Sequence, residues 1–292
     1  MRSVIVVFEQ LRTDREIHTA NPCQHWQSEW SFCVLVDMPA SSNFREAIRE
    51  AQSSALVGPN VVNKALPYVG GGMVLTAVGV LGGMSLLQSG NPLYMPLFWV
   101  ALIGNLVLFF VAQNVAMKGN NSTALPLLSI YSLTTGFTLS GLVSYAITVA
   151  GAANPANPYA GASAVGTAAL ATGITFVIAS IVGRRMSDSV GQALAGVVGL
   201  GMVGLIIAMV VQVIGGLFTG GGFGGSGLEL MIAGFGTVLF IGAAFVDFYT
   251  MPRAYRDDQY LAGALGMYLT YINLFIFILR LIIVLNGGGR RD

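Results

Sequence analysis

Few ionisable side chains fall inside the long apolar stretches of this 292-residue sequence: Asp247, Arg280, Glu229 and Lys118. A charge in hydrocarbon is costly, so each of the four is a functional candidate. Glu229 and Lys118 stand at the ends of their stretches, where solvation or a long stem reaching water explains them. Arg280 is about one helical turn from the end of the last stretch and can snorkel in the same way. Asp247 cannot. Its stem is short, so it needs a partner, a proton or a water-filled cavity. The chemistry open to it is proton exchange, or an oxygen ligand to a cation such as Ca²⁺.

The segments near 228–250 and 260–285 read as an antiparallel hairpin turning at Asp257-Asp258. Asp247 is eleven residues before Asp258 and Thr270 twelve after it. At 1.5 Å per residue the two face each other about 16 Å from the turn. If Pro252 shortens the sixth helix, Asp247 comes nearer to that end. On the last segment Gly266, Thr270, Asn273, Phe277 and Arg280 recur at three- and four-residue steps as one small and polar stripe. Gly236, Ala243 and Asp247 share a face on the segment before it, where the backbones can approach closely. Thr270 and Asn273 are then the expected hydrogen-bond partners of Asp247. Interhelical polar glue is the structural alternative to a functional site.

The elements that hold these residues follow from composition. Hydrophobic residues make up 54% and charged residues 9%, with a mean hydropathy of +0.73; soluble domains carry roughly 25% charged residues. Seven stretches are long enough to cross hydrocarbon: 65–88, 93–116, 124–149, 159–182, 190–215, 228–250 and 260–285. They are continuous rather than alternating, which excludes a β-barrel. The fold class is an all-α polytopic membrane protein with seven transmembrane helices. The seventh should be central, because its polar stripe must be shielded from lipid.

Lys64, Lys118, Arg184-Arg185 and Arg253 with Arg256 mark alternate loops, and the three loops between them contain no Lys or Arg. That alternation puts the N-terminus in the cytoplasm, with Arg290-Arg291 as the one dissent. Short loops point to a prokaryotic inner membrane, with the lipid bilayer as the constant partner. A net charge of +1 and the lack of a basic patch exclude a nucleic-acid binder. No Ser/His/Asp, Cys/His or HExxH arrangement occurs in 65–292, so neither an enzyme nor a cofactor is expected. The Gly220–Gly227 run lacks the Lys-Ser/Thr of a phosphate cradle. Gly79-x-x-x-Gly83 allows close packing, within the monomer.

The head of the chain differs. Residues 1–64 hold six of the 14 Lys+Arg and seven of the 13 Asp+Glu, together with both cysteines and both histidines. Cys23, Cys33, His18 and His25 match no common zinc spacing. Residues 1–37 read as a non-native or disordered extension, 38–64 as a cytoplasmic segment with a short helix, and 65–292 as the membrane domain. Met38 reads as a natural start, and Asn43 with Glu46 has capping-box spacing.

The stretch Ala264 to Arg280, with its Tyr271-Ile272-Asn273-Leu274-Phe275 core and Leu279-Arg280, resembles the C-terminal signature of the Bax inhibitor-1 family. Phe245-Val246-Asp247-Phe248 is similar to that family's aspartate segment, and Gly136-Phe137-Thr138-Leu139 also fits. The resemblance covers roughly 44–285. It implies six helices around a central seventh, and a pH-sensitive cation or calcium leak with a role in stress tolerance or cell-death suppression. It further implies two facing aspartates that share a proton. Asp247 matches the first, whereas Thr270 stands where the second is usual. That departure should move any pH-dependent gating to lower pH, or remove it. Lys118 falls where some members carry a basic residue able to latch the pore onto Asp247. The alternative function is a non-conducting partner that regulates other membrane proteins.

Because residues 1–37 contain no apolar segment able to pack in a membrane, a chain starting at Met38 should insert and fold like the full one. Membrane fractionation and the detergent elution profile of the two chains check this; loss of insertion on truncation would make the head an integral part.

Overall fold

Residues 56–219 and 225–288 are described by a computed structural model, and they belong to a unit that begins at Leu56. Seven helices dominate it: α1 Val61–Gln88, α2 Tyr94–Met117, α3 Asn121–Ala153, α4 Ala160–Val182, α5 Asp188–Thr219, α6 Gly225–Ala254 and α7 Tyr260–Ile283. All seven are long and apolar enough to span a bilayer. Readings that concern residues 1–37, the start at Met38, the Asn43/Glu46 pair and Arg290-Arg291 lie outside the described residues.

Helix boundaries lie a few residues from those expected, for local reasons. α1 begins at Val61 rather than 65, since Pro59 and Asn60 form its approach and Lys64 enters the first turn. α3 begins at Asn121, capped by the Asn120 side chain, which accepts from the Thr123 N–H. Pro252 does not shorten α6. In the last turn a proline removes only one intrahelical bond, and the helix continues to Ala254. Asp247 is thus seven residues, about 10 Å, inside the end of α6.

α7 is the hub. Fourteen of its 24 residues are buried, against three in α2, and it packs on α1, α2, α3, α4 and α6. The fully buried Leu261, Leu265, Met267, Tyr268, Leu274 and Leu279 form its contact surface. α2 and α5 instead expose runs of large apolar side chains, among them Trp99, Phe110, Leu200 and Ile207. In a soluble protein such surface would drive association, whereas here lipid covers it.

Small residues set the closest crossing. A Cβ on Gly79 would run into the Leu133 carbonyl, one on Gly136 into the Thr76 carbonyl, and one on Gly83 into Ser140. The Gly79/Gly83 pair of α1 therefore packs on α3 within the monomer, backbone against backbone.

The basic ends of the helices meet at one face. Arg253 reaches Asp188 at 3.0 Å and lies 4.0 Å over the Tyr249 ring, while the Tyr249 hydroxyl donates to Asp188 at 3.2 Å; this ties α6 to the start of α5. Arg184 donates to Asn63 at 2.9 Å. The Asn121 amide donates to the Asp258 carbonyl at 2.8 Å, and Gln259 donates to the Met117 carbonyl at 2.6 Å. The α6–α7 turn is consequently held by the α2–α3 junction.

Replacing Gly136 by Leu should separate α1 from α3 and cost on the order of 2 kcal/mol or more. Gly82→Ala, at a position with open space around it, should be close to neutral. Thermal unfolding in detergent distinguishes them; equal midpoints would mean the crossing is not tight.

Candidate functional site between α6 and α7

Asp247 projects from α6 toward α7 because Gly236 and Ala243 on the same helix let the two backbones close. Gly236 has no room for a side chain against the Phe277 ring, and Ala243 is buried. Facing it on α7 is Thr270, itself buried, whose hydroxyl lies close to the Asp247 carboxylate. Asp247 Oδ2 is shielded from solvent and has no partner among the described residues. A buried acceptor of this kind is costly unless a proton, water or cation meets it.

Two further groups lie in the neighbourhood. Tyr255, in the turn just beyond α6, lies near enough for the Asp247 charge to act on it, and the Gln113 carboxamide of α2 lies close to its phenol. Burial pushes the Tyr255 phenol above its ordinary pKa, and the Asp247 charge adds to that. Gln113 Oε1, like Asp247 Oδ2, is buried without a partner. Neither Gln113 nor Tyr255 stood out in the sequence. A polar carboxamide inside the apolar 93–116 stretch was the available signal for the first; nothing marked the second.

The other candidates are placed elsewhere. Asn273 turns its amide back to its own helix, donating to the Leu269 carbonyl at 2.9 Å. Arg280 sits toward the opposite end, 3.9 Å from Glu229 and 5.9 Å from the Phe277 ring centroid, so it has protein partners and does not simply snorkel. Lys118 is exposed at the end of α2 and makes no ion pair with Asp247 among the described residues. The α2 side chain that lies by Tyr255, Gln113, is neutral. Among the described residues no three His, Cys, Asp or Glu side chains come together. A divalent cation at Asp247 would find one carboxylate where Ca²⁺ takes six to eight oxygens.

A second buried polar chain runs behind the site. The Thr76 hydroxyl is 2.6 Å from that of Tyr268, a fully buried side chain of the hub helix. Thr76 also bonds the Gly72 carbonyl at 2.8 Å, and Asn105 donates to Thr135 at 3.2 Å. In hydrocarbon such pairs fix the rotation of each helix about its axis.

The family described as "Inhibitor of apoptosis-promoting Bax1" matches residues 58–287, nearly the whole described region. The chain belongs to the Bax inhibitor family. An uncharacterized membrane protein of Streptococcus pyogenes serotype M1 is 30% identical over 204 residues, 67% of this chain and 76% of that protein. An uncharacterized Lactococcus lactis protein is 29% identical over 218 residues, 71% of this chain and 79% of its own length. A shorter match, 36% over 61 residues, covers 21% of this chain and 23% of the Bax inhibitor 1 of Schizosaccharomyces pombe. In this member of the Bax inhibitor family the α6 aspartate faces a hydroxyl on α7.

Thr270→Val keeps the shape but takes away the hydroxyl beside the Asp247 carboxylate. It should cost about 1–3 kcal/mol, with Thr270→Ser near wild type. Unfolding midpoints in detergent at fixed pH test this; a Val variant as stable as wild type would show that the hydroxyl carries no weight.

Proposed function

We propose that this Bax-inhibitor-family protein is a cation leak pathway, passing protons or Ca²⁺, with Asp247 as its key titratable group and Thr270 as the incomplete half of the aspartate pair. The observation that supports it most is the orphaned Asp247 Oδ2, well inside a membrane helix and beside the central α7. A carboxylate serving only as glue would be expected to have both oxygens bonded; this one keeps an oxygen available for a proton or passing cation. Tyr255 is a titratable group near enough for the Asp247 charge to act on it. Because a single carboxylate binds Ca²⁺ weakly, transit rather than tight binding fits the donor set. The basic face that carries Lys64, Arg184 and Arg253 is placed in the cytoplasm of a bacterial inner membrane, by the rule that loop cations stay inside. The leak would serve stress tolerance by adjusting ion balance.

The experiment is Ca²⁺ and proton flux into proteoliposomes against pH. Wild type should conduct and Asp247→Asn should lose most of the flux. Thr270→Asp rebuilds two facing carboxylates that share a proton, so it should give steeper pH dependence near neutrality and greater Ca²⁺ sensitivity. An inert bilayer for wild type, with another membrane protein co-purifying, would favour the non-conducting regulator. Steep neutral-pH titration in wild type that Thr270→Asp leaves unchanged would separate pH sensing from this pair.

A further inference from the structure

At the end of the bundle opposite the basic face, the close of α3, the start of α4 and the close of α7 surround a cleft of about 350 Å³. That is near the lower limit for small-ligand pockets, roughly 300–1,000 Å³. Five polar side chains line it: Asn154 just after α3, Asn157 in the turn, Ser163 and Thr167 on α4, and Asn286 just after α7. Alanines and Ile282 complete the wall, and no ionisable side chain lines it among the described residues. Thr167 is seven residues into α4, so the cleft reaches about 10 Å down that helix.

The bonds these groups already make decide which atoms are left for a ligand. Asn157 Oδ1 accepts from the Tyr159 N–H at 3.0 Å, which leaves its amide N–H groups as donors. The Asn286 amide donates to the Ile282 carbonyl at 2.8 Å, which leaves its Oδ1 as an acceptor. Ser163 donates to the Ala160 carbonyl at 2.9 Å and keeps its oxygen lone pairs. The Asn154 and Thr167 side chains bond nothing among the described residues. Thr167 is the exception on its helix, since Thr172, Thr175 and Ser180 turn their hydroxyls back to α4 carbonyls. A threonine two turns inside a membrane helix ordinarily does the same, because hydrocarbon offers no other acceptor.

We propose that this cleft binds one small, uncharged polyhydroxyl group, either a free sugar ring or the sugar headgroup of a membrane lipid. Donors on Asn154, Asn157 and Thr167 stand with acceptors on Asn154, Asn286 and Ser163. A hydroxyl both donates and accepts, so neighbouring hydroxyls of one ring can satisfy both kinds. An anion would meet no cation on these walls, and enclosing it without one is costly. A hard cation takes six to eight oxygens, whereas Asn157 has its oxygen committed and offers N–H. The site does not depend on the leak, because Asp247 lies toward the other end of the bundle, seven residues inside the close of α6.

The test uses the full chain in phosphatidylcholine nanodiscs, purified without glycoside detergents, whose headgroups are themselves sugars. Saturation-transfer NMR reads glucose binding. Wild type should pass saturation to the glucose ring protons. Thr167→Val and Asn154→Ala should each weaken that binding several-fold with an unchanged unfolding midpoint, and two variants guard against one that misfolds. Gly82→Ala and Asp247→Asn should bind glucose like wild type. Discs that carry a glucosyl diacylglycerol separate the two sources. Displacement of glucose by that lipid, or its retention through delipidation by wild type but by neither variant, assigns the headgroup; glucose binding that the lipid leaves unchanged assigns the free sugar. Neither glucose binding nor lipid retention, or binding that both variants leave intact, would overturn the site. Glucuronate or glucosamine bound as strongly as glucose would overturn the uncharged class. Ion flux without glucose or glycolipid binding keeps the leak and removes this site, and binding without flux does the reverse.

Discussion

Hydrocarbon offers no hydrogen bonds, so every polar group this chain carries into the membrane must be met by another part of the chain or by water in a cavity. The position of α7 follows from that constraint. It brings Tyr268, Thr270 and Asn273 to mid-sequence of its span, and five other helices pack around it. Thr76 bonds Tyr268 of a neighbouring helix, Thr270 lies beside Asp247, and Asn273 answers to its own backbone. Among the described residues, buried oxygens of Asn105, Gln113, Asn121, Ser132 and Asp247 have no protein partner, and of these Asp247 alone is ionisable.

Close approach of backbones makes the wrapping possible. Apolar side chains facing lipid gain little by facing one another instead, so helix association depends on packing at short range. Gly79, Gly83 and Gly136 bring α1 onto α3, and Gly236 brings α6 onto α7 under the Phe277 ring. The second of these approaches lets the short Asp247 stem reach the Thr270 hydroxyl. Glycine spacing and site chemistry are thus two ends of one physical argument.

At the basic face the balance differs, because water is near and exposed ion pairs contribute little. Arg256 with Asp258, both exposed, is of that kind. Arg253 with Asp188 is more enclosed and is shared with the Tyr249 ring, which makes it a positional tie between α5 and α6. The Asn60 to Asp257 bonds also act through geometry, since they fix the height of the α6–α7 turn above the helix ends.

Seven spans, their order and the two helices that carry the site were legible in the sequence, because hydrocarbon thickness demands about 20 apolar residues and tolerates few charges. The facing of Asp247 by Thr270 was legible too, since a hairpin of regular helices leaves one register once its turn is known. The fate of long or amide-bearing side chains was not. Asn273 shares a stripe with Thr270, yet it bonds the Leu269 carbonyl, because a carboxamide one turn away reaches its own helix more easily than the next. Gln113 belongs to α2 and Lys118 caps its end, and helix rotation with the α2–α3 packing brings Gln113, not the lysine, near Tyr255. The bond from Asn60 to Asp257 spans 197 positions of sequence. Contacts of that range depend on where rigid helices end in space, which local periodicity does not encode and only the assembled bundle decides.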